Sequence, residues 1–145
     1  MNMFNDVFIE NQIIQNCLKN YNINLDLELE YYPPDVRSIL KYMHNHLFEN
    51  TLTIKEEKLA CRIRNNNIST KFRLLIGMGI KEYVMNQRLK AAETALKEAE
   101  VSIYLLANAI GYTEEAFSKL FKRVKGESPL KFCHKVLREM DKRKY

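Results

Sequence analysis

A chain of 145 residues, 46% hydrophobic and 28% charged, with four glycines and three prolines, has the make-up of a folded soluble protein with one or two small cores. It holds no apolar run of membrane-spanning length and no secretory leader pattern, which predicts a cytoplasmic protein with no membrane partner. The net charge of +5 is uneven: residues 1–35 carry six acids against one base, and the rest of the chain 22 bases against 12 acids. A basic body with an acidic head fits a nucleic-acid binder with an appended segment, and equally a basic surface kept for solubility.

Cys17, Cys61 and Cys133 are odd in number and far apart, without CxxC spacing, so reduced thiols are expected rather than disulfides or zinc. His44 and His46 lie two apart, on different faces of a helix, which argues against a metal site. There is no glycine-rich phosphate loop, no HExxH and no Cys/His pair at a useful spacing, so neither an enzyme nor a cofactor is expected.

Residues 1–33 form a short acidic arm in this reading. Phe8, Ile13, Ile14, Cys17 and Leu18 suggest one amphipathic helix, and the strict alternation from Leu25 to Tyr31 predicts a strand. A lone strand needs a partner, either the same strand of a second chain, giving a homodimer through residues 1–33, or a patch on its own body. Pro33-Pro34 punctuates, and Asp35 is placed to cap a helix with Val36, Ile39, Leu40, Met43 and Leu47 on its apolar face. Thr53 then begins a helix to about Arg62. The next helix carries Ile68, Phe72 and Leu75 and ends at Gly77 or Gly79. The longest helix runs from Ile80 to about Ala99, with Ile80, Tyr83, Val84, Leu89, Ala92, Ala95, Leu96 and Ala99 along one side. Twenty residues make roughly 30 Å of helix, near the ~34 Å of one DNA turn.

The last third is the most patterned. Ser102 is an N-cap for a helix with Ile103, Leu106, Ala107 and Ile110 on one face, and Gly111 suits its C-terminus. Thr113 caps a second helix with Ala116, Phe117, Leu120, Phe121 and Val124. Gly126 closes it, and Ser128-Pro129 starts the final helix. Two short helices around a glycine turn make the helix-turn-helix plan, although three helices of plain core share the periodicity. Phe72/Gly77 and Phe121/Gly126, five apart in both cases, suggest that the layout occurs twice. The domains expected are therefore the arm (1–33), a first helix-turn-helix unit (34–79), a linker helix (80–99) and a second unit (100–145).

Over roughly residues 34–140 the sequence resembles the DNA-binding region of AraC/XylS-type transcriptional regulators. The matches are Gly77 and Tyr83; Arg88, Ala92 and Leu96; Ser102-Ile103, Ala107, Gly111-Tyr112, Phe117-Ser118-Lys119, Phe121-Lys122, Gly126 and Ser128-Pro129. The resemblance implies an all-α fold: a seven-helix double helix-turn-helix domain with a long linker helix, here with a helix/strand arm in front. Three departures stand out. The stretch from Gly111 to Phe117 is one residue short. Glu57 and Lys58 fall where the family buries an apolar and a small residue, with Leu59-Ala60 two positions later. Thirty-three leading residues are too few for an effector-binding barrel, which points to the standalone kind or to a minimal dimerisation arm.

By resemblance, the reading helices run from about Asn65 to Leu75 and from about Glu114 to Val124. Asn66, Ser69, Thr70 and Arg73 are the base-reading candidates of the first, and Glu114, Glu115, Ser118, Lys119 and Lys122 those of the second. Asn suits adenine, Arg and Lys suit guanine, and Thr suits the thymine methyl. Glu114 and Glu115 either accept from cytosine or simply strengthen the helix start. Phosphate candidates are Arg64, Arg88, Tyr112, Thr113, Lys125, Ser128 and Lys131. For Arg88 the alternative is to tie the units together through carbonyls. Lys135, Arg138, Lys142, Arg143 and Lys144 suit a solvated helix end. The function expected is a sequence-specific regulator, an activator as in most of the family. It would place two units in adjacent major grooves of double-stranded DNA and offer a surface to RNA polymerase. The alternative is a protein-interaction module on the same scaffold that has lost specific DNA reading, and no pocket for an effector is marked.

Overall fold

The structure, a computed structural model, describes residues 3–50 and 67–143. Those residues form seven α-helices and one 3-10 helix, with no strand among them: α1 (Met3–Leu25), the 3-10 helix (Asp26–Tyr31), α2 (Pro34–Asn45), α3 (Ile68–Ile76), α4 (Ile80–Glu98), α5 (Ile103–Ala109), α6 (Glu114–Lys125) and α7 (Pro129–Arg143). The helix expected from Thr53 to Arg62, with Glu57, Lys58, Leu59 and Ala60, lies outside the described residues.

The expected strand is corrected by the structure. Asp26–Tyr31 winds as a 3-10 helix, whose three-residue turn places Asp26, Leu29 and Tyr32 on one edge. Asp26 meets His44 at 2.8 Å, and Leu29 and Tyr32 pack on the neighbouring core. The other apolar residues of the alternation, Leu27 and Tyr31, point to solvent. Three-residue spacing serves more contacts here than two-residue spacing would.

The chain forms two compact units, Asn20–Arg88 and Met1–Lys19 with Leu89–Tyr145. In the first, Val36, Ile39, Leu40 and Met43 of α2 meet Ile68 and Phe72 of α3 and Ile80 and Tyr83 of α4. Phe72 stands edge-on to Tyr83, ring centroids 5.7 Å apart. Pro34 occupies the first turn of α2, where its missing N–H leaves no gap. Asp35 lies inside that turn rather than capping from outside it, and its carboxylate takes the Lys71 ammonium at 2.9 Å, joining α2 to α3.

The other unit buries Ile14 and Leu18 of α1, Leu89, Ala92, Ala95 and Leu96 of α4, Leu106, Ala107 and Ile110, Phe117 and Phe121, and Cys133. Phe8, read above as part of the apolar face of α1, is exposed. The expected caps form: Ser102 Oγ accepts from Leu105 N–H, and Thr113 Oγ1 from Ala116 N–H. α5 closes as a Schellman motif, with Tyr112 N–H donating to Ala107 O and Gly111 N–H to Asn108 O. This closure requires the left-handed backbone that Gly111 adopts at φ 97°. The short Gly111–Phe117 stretch is thus accommodated by one tight turn and an immediate N-cap.

The internal repeat is visible in how α3 and α6 end. Gly77 N–H donates to Arg73 O and Gly126 N–H to Lys122 O, each at 2.8 Å, five residues after a fully buried phenylalanine.

Candidate nucleic-acid interface

In the second unit, α6 turns Phe117 and Phe121 inward, and Phe121 meets Phe132 of α7 edge-on at 5.4 Å. With that face fixed, helical geometry leaves Glu114, Glu115, Lys119 and Lys122 exposed and Ser118 half-buried. Lys119 Nζ lies 2.9 Å from Glu115 Oε1, one turn apart, both side chains more than three-quarters exposed. Such a pair stabilises a helix by only about 0.3–0.5 kcal/mol, so Lys119 can be drawn away by a stronger anion. The contact gives Glu115 a helix-strengthening partner without a base.

The phosphate candidates divide by what already holds them. Lys125 Nζ is 2.6 Å from Glu93 Oε2, and Glu93 also takes Lys97 at 3.3 Å. Burial works to raise the Glu93 carboxyl, but the hydrogen bonds from the two lysines outweigh it and hold the group below its ordinary value. Lys125 is therefore committed within the protein. The hydroxyls of Thr113 and Ser128 are spent as caps, the latter accepting from Lys131 N–H. What these positions present outward is the N-terminus of α6 and of α7, where backbone donors and the helix dipole favour an anion. Tyr112 is half-buried at the turn, and Lys131 is exposed.

In the first unit, Ser69, Thr70 and Arg73 come together on the exposed side of α3. With Gly79, Ile80, Lys81 and Glu82 they line a hollow of about 400 Å³. Lys81 is not among the base-reading or phosphate candidates named from the sequence. Its signal was its position two residues past Gly79, in the first turn of α4, where the chain folds back toward Arg73. Leu74, next to Arg73, is 80% exposed, and Leu75, expected on the apolar face, is exposed as well. Arg64 and Asn66 lie outside the described residues.

Arg88 is buried. Its Nε donates to Leu47 O at 2.7 Å and its Nη2 to Glu49 O, beyond the end of α2. Both carbonyls belong to the same unit as Arg88, so these bonds are made within the first unit and are not the expected tie between the two.

Among the described residues no group of three His, Cys, Asp or Glu could hold a metal ion. No helix among them is long and apolar enough to cross a membrane.

A family model described as a helix-turn-helix domain matches residues 61–135. The Msm operon regulatory protein of Streptococcus mutans is 29% identical over 102 residues, 70% of this chain and 36% of that protein. The arabinose operon regulatory protein of Escherichia coli is 24% identical over 98 residues, 67% of this chain and 34% of that protein. The chain thus spans about a third of the length of these relatives. Among solved structures, the C-terminal domain of AraT, a response regulator from Geobacillus stearothermophilus, superposes with a TM-score of 0.66 at 24% identity, covering 71% of this chain and 86% of that one. The DNA-binding domain of AdpA, a global transcriptional factor solved in complex with a target DNA, gives 0.63 at 19% identity, covering 70% and 92%.

Proposed function

This chain belongs to the AraC/XylS-type family of helix-turn-helix transcriptional regulators, and on that premise we propose that it is a sequence-specific DNA-binding regulator with two reading helices, α3 and α6. The observation that carries this reading is the pair of matching helices. Each buries one phenylalanine-bearing face, closes on a positive-φ glycine and turns a polar, cation-bearing face outward. Arg73, Ser69 and Thr70 serve the first, together with Arg64 and Asn66 beside them in sequence. Lys119, Lys122 and Ser118 serve the second, with Glu114 at its start. The N-termini of α6 and α7, with Lys131, take phosphates.

Placement in adjacent major grooves is supported by the nineteen residues of α4 between the two reading helices, a rod of about 28 Å against the ~34 Å of one DNA turn. Activation through a surface offered to RNA polymerase follows the habit of the family. The likeness to the DNA-binding domain of AdpA, solved in complex with a target DNA, supports DNA as the partner. The second reading, an interaction module that no longer reads DNA, draws on the commitment of Lys125 to Glu93 and of Arg88 to carbonyls.

Enrichment of random duplexes by the full chain at two salt concentrations separates these readings. Two boxes about one helical turn apart, with affinity falling steeply in salt, are expected. A single box would leave only one reading helix in use. No enrichment at either salt concentration would favour the interaction module.

A further inference from the structure

The first unit contains a cavity that DNA reading does not use. It has a volume of about 350 Å³ and lies among the last turn of α1, the 3-10 helix, α2, the end of α3 and the start of α4. That is at the small end of the ~300–1,000 Å³ usual for ligand sites. Three tyrosines line it, Tyr21, Tyr32 and Tyr83, together with the Glu28 carboxylate, and among the described residues neither Lys nor Arg lines it. Leu25, Leu29 and Leu40 supply apolar wall.

The buried polar groups are already matched to one another. Tyr83 OH lies 2.6 Å from His44 Nε2, and His44 Nδ1 lies 2.8 Å from Asp26 Oδ1. This fits a neutral imidazole that accepts from the tyrosine and donates to the carboxylate. Tyr21 OH donates to Gln87 Oε1. Burial also lowers the pKa of the imidazole below its ordinary value, so at neutral pH the ring adds no positive charge to the wall. Glu28 is exposed and has no cationic partner among the described residues. What remains to meet a ligand is a set of aromatic rings, an apolar wall and a negative charge at the mouth. An anion would face the carboxylate with no cation among the described lining residues to offset it. A positive group gains from both the rings and the carboxylate.

We propose that this cavity binds a small organic cation, an ammonium group on a compact apolar body, and that its occupancy is transmitted to reading helix α3. The transmission follows from the lining: Ile76, the last residue of α3, and Met78, just past the Gly77 closure, form part of the wall. A ligand filling the cavity presses on the residues that fix where α3 ends. The binding site stands on its own, and only the transmission rests on the DNA-binding reading above.

The probe is benzyltrimethylammonium, titrated into the full chain by calorimetry, with neopentylbenzene as its neutral isostere and phenylacetate as an anion of similar size. Saturable 1:1 binding of the cation alone is expected. Glu28→Gln, at an exposed position that leaves the core intact, should weaken it by about fivefold. Tyr32→Ala should weaken it to a similar degree or more. If Tyr32→Ala unfolds the unit, Glu28→Gln still decides. No saturable binding, equal binding of the neutral isostere, or binding indifferent to Glu28→Gln overturns the site. In a separate measurement on an enriched duplex, saturating cation should change affinity by about fivefold or more; an unchanged affinity overturns the transmission. A chain that binds the cation and no duplex would sink the DNA-binding reading and leave the site standing.

Discussion

Arg88 shows what one buried cation does in this chain. Its guanidinium reaches the carbonyls of Leu47 and Glu49, past the end of α2, where no helical donor remains to satisfy them. Replacing it with Met should cost about 2–3 kcal/mol in urea-unfolding experiments, through the unsatisfied carbonyls. Lys should restore little, because one ammonium cannot span both acceptors as the planar fork does. A stable Arg88→Met protein with weakened duplex binding would instead return Arg88 to the phosphate contacts. His44 makes a second prediction. Burial lowers its pKa below the ordinary value, against the opposing pull of the Asp26 hydrogen bond and charge. The native state therefore binds fewer protons than the unfolded chain as pH falls below about 6.5. Stability contributed by the neutral ring is present above that pH and is lost as pH falls toward the native pKa, with a slope of at most about 1.4 kcal/mol per pH unit. Urea midpoints measured at pH 7.5 and 5.5 should fall accordingly, and His44→Gln should flatten the difference. An equal pH dependence in the variant would remove His44 as the cause.

At the scale of elements, the 3-10 helix of Asp26–Tyr31 makes a contrast that a strand would not. In a strand Leu27 and Leu29 share a face, so their truncations would cost alike. Here Leu29 packs on the core while Leu27 is 70% exposed. Leu29→Ala should cost about 1–2 kcal/mol and Leu27→Ala less than about 0.5 kcal/mol, and equal costs would argue for the strand after all. The same segment shows where the sequence was legible. The caps at Ser102 and Thr113 and the glycine closures at Gly77, Gly111 and Gly126 are local chemistry, decided within four or five residues, and they are found where the pattern puts them. The alternation of Leu25 to Tyr31 is also local, but what chooses between two-residue and three-residue spacing is not. That choice depends on His44 and on the α2–α4 core, distant in sequence. For the same reason the cavity was illegible: its three tyrosines are separated by 11 and 51 residues. The cation-bearing face of α6 was legible because burying Phe117 and Phe121 fixes it. Which cations are already taken was not, since Lys125 finds Glu93 on another helix.

Across the whole molecule, charge separates the two readings of function. If α6 lies on a duplex, Lys122→Ala should make the dependence of log affinity on log salt shallower by about 0.9, the share of one phosphate contact, or relax the preference at a single base. Lys125→Ala should leave the salt dependence unchanged, because that ammonium is already paired with Glu93. The reverse result would mean that Glu93 releases Lys125 on binding. On the DNA-binding reading the net charge of +5 is modest, so the few exposed cations of α3 and α6 would bear most of the load.

The amide of Ser102, at the start of α5, donates to the carboxylate of Glu10, ninety-two positions earlier in the chain. That bond, with the burial of Ile14 and Leu18, makes the unit of the second reading helix a joint product of both ends of the sequence. During synthesis the intervening residues 20–88 emerge as one continuous stretch. The first nineteen must wait for α4 to α7 to be made, and closing so long a loop is slow. Removing residues 3–19 would therefore take the Glu10 bond and the Ile14 and Leu18 side chains from the second unit while changing none of residues 20–88.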